Sequence, residues 1–490
     1  MNKARRALTS LAVLASLAIL AAAVPAQDKP KLGADLERVL ASIRGEDPYG
    51  WVKALSSPEY AGRLTGSEGY AAAARWAAAK FKQWGLKPIL PPGGYLQPYV
   101  SPYTVVRKAE MTFLPPGDKP AVKLEPNKDF LPLLFTDSGR AEAGLVFAGW
   151  GVSAPDLGYD DYAGLDVQGK FVLCFRGQPF AGDARFQVHD EHRTRMKTAL
   201  AKGALGVIYI YPEPISNPNG DWLQGFMPAM ISEKAADAIL KDRGLDSARL
   251  KKDLQTYDKP LSFALQGRIR YEVEARHYPD AMGYNIGGYV EGSDPALRKD
   301  VIVIGGHFDH NGTHMGLLFP GANDNASGSA TVMAVAQAYS RLAAKPKRSV
   351  AFLLFGGEEM GLQGSTFFAA HLPEPFSRVD GMFNFDMTGE GDGAGGAYAA
   401  AFPDLEKHLR DADRYVGILR GLGEMRGSVG VRGSDFAPFY ERGAATVSIG
   451  SNGPHLAYHA TGDTIYRVNP DIMADIAKLA FLASRSWADR

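Results

Sequence analysis

A chain of 490 residues with a single cysteine cannot close a disulfide on itself. Cys174 lies in Lys170-Phe171-Val172-Leu173-Cys174-Phe175, an apolar strand pattern with no accompanying histidine motif. It reads as a buried structural thiol rather than a nucleophile. Net charge is missing too, because 54 Lys and Arg balance 54 Asp and Glu. That balance removes any electrostatic case for nucleic acid or an anionic membrane surface as a partner. No internal repeat is present. The remaining composition, 46% hydrophobic and 22% charged, is that of a globular protein. The length asks for two or three domains, which can rely on their own cores instead of cross-links.

The first residues follow other rules. Lys3, Arg5 and Arg6 precede an Ala/Leu-rich apolar run over 8–24, then Val24-Pro25-Ala26 and the polar Gln27-Asp28-Lys29. This is the order of a signal peptide over 1–26, cut after Ala26. An uncleaved membrane anchor is the alternative, but the run is short for a span. With no cysteine nearby, a lipid-modified cysteine anchor is excluded. The mature chain is expected to be exported, periplasmic or secreted, without stable membrane insertion.

After the leader, 32–44 has helical spacing, and a helix is expected over 70–84, where alanine is dense and Gly85 with Pro88 supplies the stop. From 91 to 120 prolines and glycines suggest short strands and connections. A second unit is expected over 121–267, with strands at 143–148, 171–175 and 205–211 and a helix at 193–202. It lacks a convergent set of histidines and carboxylates. His189-Asp190-Glu191-His192 is its one polar cluster and reads as a solvated helix start. The unit is expected to be a lid or substrate-access domain inserted between 27–120 and 268–490. From 268 onward strands alternate with helices, which argues for an α/β/α sandwich around a mixed, largely parallel sheet. The Gly/Ala-rich stretch 389–401 reads as a mobile loop.

The chemistry concentrates between 301 and 359. Val301-Ile302-Val303-Ile304 is a buried strand that ends at Gly305-Gly306 and delivers His307, Phe308 and Asp309. Asp324 follows in Gly321-Ala322-Asn323-Asp324-Asn325, ahead of a helix. A second buried strand at 350–355 ends at Gly356-Gly357 and delivers Glu358-Glu359. Asp386 follows the strand Met382-Phe383-Asn384-Phe385, and His459 follows Tyr458. Polar residues at the carboxyl edge of buried strands mark where open α/β sheets keep their sites. His307, Asp324, Glu359, Asp386 and His459 supply two imidazoles and three carboxylates, a set that suits two zinc ions with an open position for water. One carboxylate must bridge, because five residues cannot otherwise give three ligands to each of two ions. Ions about 3.5–4 Å apart would polarise a carbonyl and activate water at neutral pH. Glu358 could then carry the water proton to the leaving amine, and Asp309 could fix the His307 tautomer. Taken singly, each of these residues is more often a satisfied structural group than a ligand. Their order and their places after strands and glycine turns make the case. His310, His314 and His455 crowd the same motifs and are assigned no coordination.

At these positions the chain resembles the co-catalytic zinc aminopeptidases grouped with the glutamate carboxypeptidases in metallopeptidase family 28. His307-Phe308-Asp309, Asn323-Asp324-Asn325-Ala326-Ser327-Gly328, Gly357-Glu358-Glu359, Asn384-Phe385-Asp386-Met387 and Tyr458-His459 through Asp463-Thr464 are similar to its five motifs, in order. Arg63 to Gly69 resembles its N-terminal segment, and 158–170 its protease-associated insert. The resemblance implies the zinc-exopeptidase fold with an inserted, smaller α+β protease-associated domain. It implies that Asp324 bridges two zinc ions per chain, with His307 and Asp386 completing one and Glu359 and His459 the other. It also implies that Glu358 is the general base and that the Asp324-Asn325 peptide is cis. One departure stands out: Gly433-Ser434-Asp435-Phe436 carries Phe436 where many relatives have histidine, so the substrate pocket is expected to differ.

The sequence therefore points to an exported zinc exopeptidase acting on peptides, with an aminopeptidase as first choice. A carboxypeptidase or dipeptidase would need cations for the substrate carboxylate, and Arg432 and Arg467 are available without forming an obvious cluster. A binding protein that kept the fold is disfavoured by the intact ligand set, and glutaminyl-cyclase-like acyl transfer at one zinc is a further alternative. Amino-terminal sequencing of the exported protein should begin at Gln27; a chain that still begins at Met1 in the membrane fraction would mean an uncleaved anchor.

Overall fold

The computed structural model describes residues 31–90, 94–424 and 433–490. The leader and Arg432 lie outside the described residues. Among those described, no helix is long and apolar enough to cross a membrane.

Two sheets organise the chain. The larger has nine strands among the described residues. At its centre Ser349–Phe355, Asp300–His307, Arg378–Phe385 and Ala445–Ser451 run parallel. Met282–Val290 flanks them antiparallel on one side and Ala394–Tyr398 on the other. The two-residue period of the strands divides the core in two. Ile302, Ile304, Val350, Phe352 and Leu354 pack with the helices Glu68–Gln83, Gly328–Ser340 and Pro470–Ala488 on one face. Val301, Val303, Ala351, Leu353 and Phe355 pack with Gln363–Ala370 and Ala437–Tyr440 on the other. Strands covered on both faces read as unbroken apolar runs, which is why these were plain in the sequence. The result is an α/β architecture around a mixed sheet.

The register puts the chemistry at one edge. His307 lies opposite Phe355, and Gly305 opposite Asn384. His307, Glu358-Glu359 and Asp386 therefore leave three neighbouring parallel strands at the same carboxyl end. Close packing there requires glycine, because a Cβ on Gly306 would come 2.3 Å from the Phe385 carbonyl oxygen.

The second sheet has eight strands, with Tyr103–Leu114, Ser262–Tyr278 and Gly139–Ala148 antiparallel and Gly139–Ala148, Phe171–Phe175, Gly206–Tyr211 and Ala229–Ser232 parallel. It has its own apolar cores, on Phe147, Leu173 and Ile208 and on Val146, Val172 and Val207. Its strands reach beyond 121–267 at both ends. Tyr103–Leu114 pairs along Ser262–Tyr278, from Leu114 opposite Arg268 to Tyr103 opposite Tyr278. Surrounding prolines hid this strand, although its Val106, Ala109, Met111 and Phe113 are buried. The 389–401 stretch also differs from expectation, since Ala394–Tyr398 is a strand of the main sheet. Its glycines permit a close approach: a Cβ on Gly396 would meet Leu422 Cδ2 at 2.2 Å.

Cys174 is fully buried between parallel strands. Burial pushes its thiol up to about 12, against the pull of the Arg195 charge. A thiol this protonated and covered should resist iodoacetamide in the native protein and react fully in guanidinium. Rapid native alkylation would contradict this placement.

Candidate metal centre

Asp324 sits where two clusters of donors meet. Its Oδ1 lies 3.2 Å from His307 Nε2, which is 3.3 Å from Asp386 Oδ1. Its Oδ2 lies 3.3 Å from His459 Nε2, which is 2.8 Å from Glu359 Oε2. The five residues singled out from sequence thus come together as two groups that share one carboxylate. His310, assigned no coordination from the sequence, joins the second group: its Nδ1 is 2.8 Å from Glu359 Oε1 and 3.9 Å from Asp324 Oδ2. His307, Asp324 and Asp386, and separately His310, Asp324 and Glu359, are grouped closely enough to hold an ion. Mixed imidazole and carboxylate donors are the chemistry zinc takes, so the residues fit that metal.

The backbone around Asp324 is fixed on all sides. The Asn323 and Asp324 amides donate to the two Asp463 oxygens at 2.8 and 2.9 Å. The Asp324-Asn325 peptide is cis, as the resemblance implies. Asn325 Nδ2 donates to the Phe385 carbonyl, and Asn325 Oδ1 accepts from the Met387 and Gly328 amides. Asn325 therefore locks the Asp324 turn to the strand end that carries Asp386. Ser434 Oγ donates to Asp386 Oδ2 at 2.7 Å.

Arg63 does the same from behind. Fully buried, it donates to the carbonyls of Phe308, Leu55, Pro320 and Gly321 at 2.7–2.9 Å. It thereby ties the segment after His307 to the one before Asp324. Burial lowers its pKa to about 10, with Asp463, Asp309, Asp324 and Glu359 opposing the fall, so it stays charged. The sequence held this residue within the N-terminal segment of the resemblance but gave no sign of its four partners.

Asp309 differs in detail from its expected role. His307 Nδ1 is 3.3 Å from the Asp309 carbonyl oxygen and 3.8 Å from its carboxylate, so the backbone is the nearer acceptor. The carboxylate instead accepts from the Glu358 amide at 3.2 Å. Burial pushes Asp309 up to about 7, opposed by His307. Glu358 is held well above the carboxylate range, chiefly by burial and then by Glu359, Asp435 and Asp386 against the pull of His307. Divalent cations would offset that crowding of charge. Asp435, a buried carboxylate that the sequence reading did not place in the site, is pushed up to about 7 by burial.

Other histidines have structural partners. His314 bonds the Asn311 carbonyl and the Val106 amide and is kept neutral by burial, which lowers it to about 4. His455 pairs with Asn323. In the 189–192 cluster, Asp190 pairs with Arg195, and His192 bonds Tyr209 and Asn217. Phe436 is fully buried in the apolar cluster of Phe355, Phe368 and Phe439. That cluster accommodates the departure from histidine. Beside Met360 a cavity of about 220 Å³ opens, lined by Tyr103, Arg193, Asp221, Trp222 and His277 among others.

Residues 285–483 match peptidase family M28. A probable leucine aminopeptidase 2 of Aspergillus oryzae (strain ATCC 42149 / RIB 40) is 26% identical over 358 residues, covering 66% of this chain and 64% of the relative. The chain spans between 34% and 66% of the lengths of the first curated relatives it matches. Among solved structures, an aminopeptidase from Aneurinibacillus sp. strain AM-1 is 22% identical with a TM-score of 0.65, covering 92% of this chain and 95% of its own. A zinc aminopeptidase from Bacillus subtilis is 19% identical with a TM-score of 0.62, covering 91% and 95%. These two likenesses establish a shared fold.

Replacing Arg63 tests how the centre is held. Arg63→Met would leave four carbonyls without their donor. At about 1–3 kcal/mol for each buried group left unpaired, urea unfolding should lose more than about 3 kcal/mol, and Arg63→Lys should lose less. A loss below about 1 kcal/mol for the methionine variant would contradict the clamp.

Proposed function

We propose that this chain, which carries a peptidase family M28 domain at residues 285–483, is an exported zinc exopeptidase that removes amino-terminal residues from peptides. The observation that carries this reading is the division of labour at Asp324, whose two oxygens each face a separate imidazole and carboxylate group. His307 and Asp386 would hold one zinc ion with Asp324, and Glu359 and His459 the other. Zinc bound there would polarise the scissile carbonyl and lower the pKa of water.

The chain's own residues supply the remaining steps. Glu358 takes the proton from the attacking water and returns it to the leaving amine. The Asp309 carboxylate, by accepting from the Glu358 amide, holds that base against the strand end. Arg467, one of two arginines a carboxypeptidase could use, is already bonded to Glu390 and to the Gly462 carbonyl. The second sheet, read as a protease-associated insert, would wall the cleft through the residues beside Met360.

The test is hydrolysis by zinc-loaded mature protein of matched peptides with free or acetylated amino termini and free or amidated carboxyl termini. Cleavage should require the free amine, vanish on chelation and fall by at least about 10²-fold in Glu358→Gln. A requirement for the free carboxylate instead would reassign the enzyme as a carboxypeptidase. Zinc-loaded protein that cuts neither series would redirect the assignment to binding or acyl transfer.

A further inference from the structure

The second sheet unit contributes a loop that touches the metal centre directly. Ser216 and His459 exchange two hydrogen bonds: the Ser216 amide donates to the His459 carbonyl at 2.9 Å, and His459 Nδ1 donates to the Ser216 carbonyl at 2.9 Å. With its Nδ1 so engaged, His459 presents Nε2 to Glu359 and Asp324. A histidine ligand is oriented by whatever its other nitrogen bonds, and here that group belongs to the inserted unit. His459 also has φ at 54°. Few residues other than glycine take that left-handed backbone conformation, histidine being among those that do most readily.

The loop itself is held by residues with no other evident task. Asn217 Nδ2 donates to His192 Nε2 at 3.2 Å, and His192 Nδ1 donates to the Tyr209 hydroxyl at 3.2 Å. Burial keeps His192 neutral, helped by Arg176, Arg195 and Arg193, so Asn217 Nδ2 donating to Nε2 leaves the ring proton on Nδ1. Asn217 Oδ1 accepts from the Asn219 amide, and the Asn217 carbonyl accepts from the Leu134 amide. Arg193 then joins loop to catalytic edge. It donates to Asp221 at 2.8 Å, to Asn219 at 2.7 Å and to the carbonyl of Met360, the residue after Glu359, at 2.9 Å.

We propose that the loop 215–221 is a structural part of the second metal subsite, with Ser216 orienting His459 and with Arg193 and Asn217 as positioning residues. The proposal rests on the zinc reading of the site, and it goes further by making the inserted unit set metal affinity as well as substrate access. A loop that only lined the cleft would alter KM alone.

Zinc affinity measured by chelator competition on the full mature chain, without substrate, separates the possibilities. Arg193→Ala, at a half-exposed position, and Asn217→Ala should each weaken one of two bound zinc ions by roughly 10–100-fold. The same variants should lower kcat, whether or not KM also changes. Lys197→Ala, which removes another partner of Asp221 but nothing that reaches the centre, should leave zinc affinity unchanged. Thermal melts identify any variant that fails to fold, and Arg193→Ala carries the test if Asn217→Ala is one. Unchanged zinc affinity in folded Arg193→Ala, or a change confined to KM, overturns the proposal. A wild-type chain that binds no zinc removes the reading of the site and this inference with it.

Discussion

One carboxylate has to serve two clusters, and much of the surrounding structure exists to hold it there. Asp324 presents Oδ1 to His307 and Oδ2 to His459, so a small rotation of its plane would improve one contact at the expense of the other. The chain prevents that rotation from the backbone outward. Asp463 takes the two amides at Asn323 and Asp324, Asn325 ties the turn to the end of Arg378–Phe385, and Arg63 grips the carbonyls just upstream. Buried carboxylates without a counter-charge are costly. Such crowding persists only where the framework is stiff and positive charge is available nearby.

The framework was legible to the extent that burial writes itself into sequence. Strands covered on both faces are apolar runs, and the residues after 301–304, 350–355 and 382–385 had to emerge at one sheet edge. Asp324 and His459 lacked that guide and were found through motif order. Ring orientation was not legible. His310 stands in the same motif as His307, yet nothing in the spacing says that its Nδ1 turns toward Glu359. Asp309 shows the same limit, because a sequence cannot tell a carboxylate acceptor from the carbonyl of the same residue. Tertiary context overrode local composition at Ala394–Tyr398, where glycines that favour a loop allow a neighbouring leucine to pack closely in a sheet. Ser216 carried no signal at all, since its contribution is a backbone oxygen whose target lies 243 residues away.

The electrostatics of the site follow from this geometry. Glu358, Asp309 and Asp435 are all pushed upward, mainly by burial, while Arg63 stays charged behind them. Protons are therefore easily kept on the periphery of the cluster. The innermost carboxylates, Asp324 and Glu359, are held down by the imidazoles around them despite their burial. That ordering keeps negative charge on the central oxygens and protons on the outer ones.

The reach of Arg63 also bears on the order in which the molecule assembles. Its guanidinium bonds carbonyls 245, 257 and 258 residues further along, with an entire second sheet intervening. Contacts so distant are closed only after the intervening chain has collapsed. A polypeptide still emerging from the ribosome thus carries an unpartnered arginine and an unassembled site. The metal-binding cluster is complete only after the scaffold on which it depends.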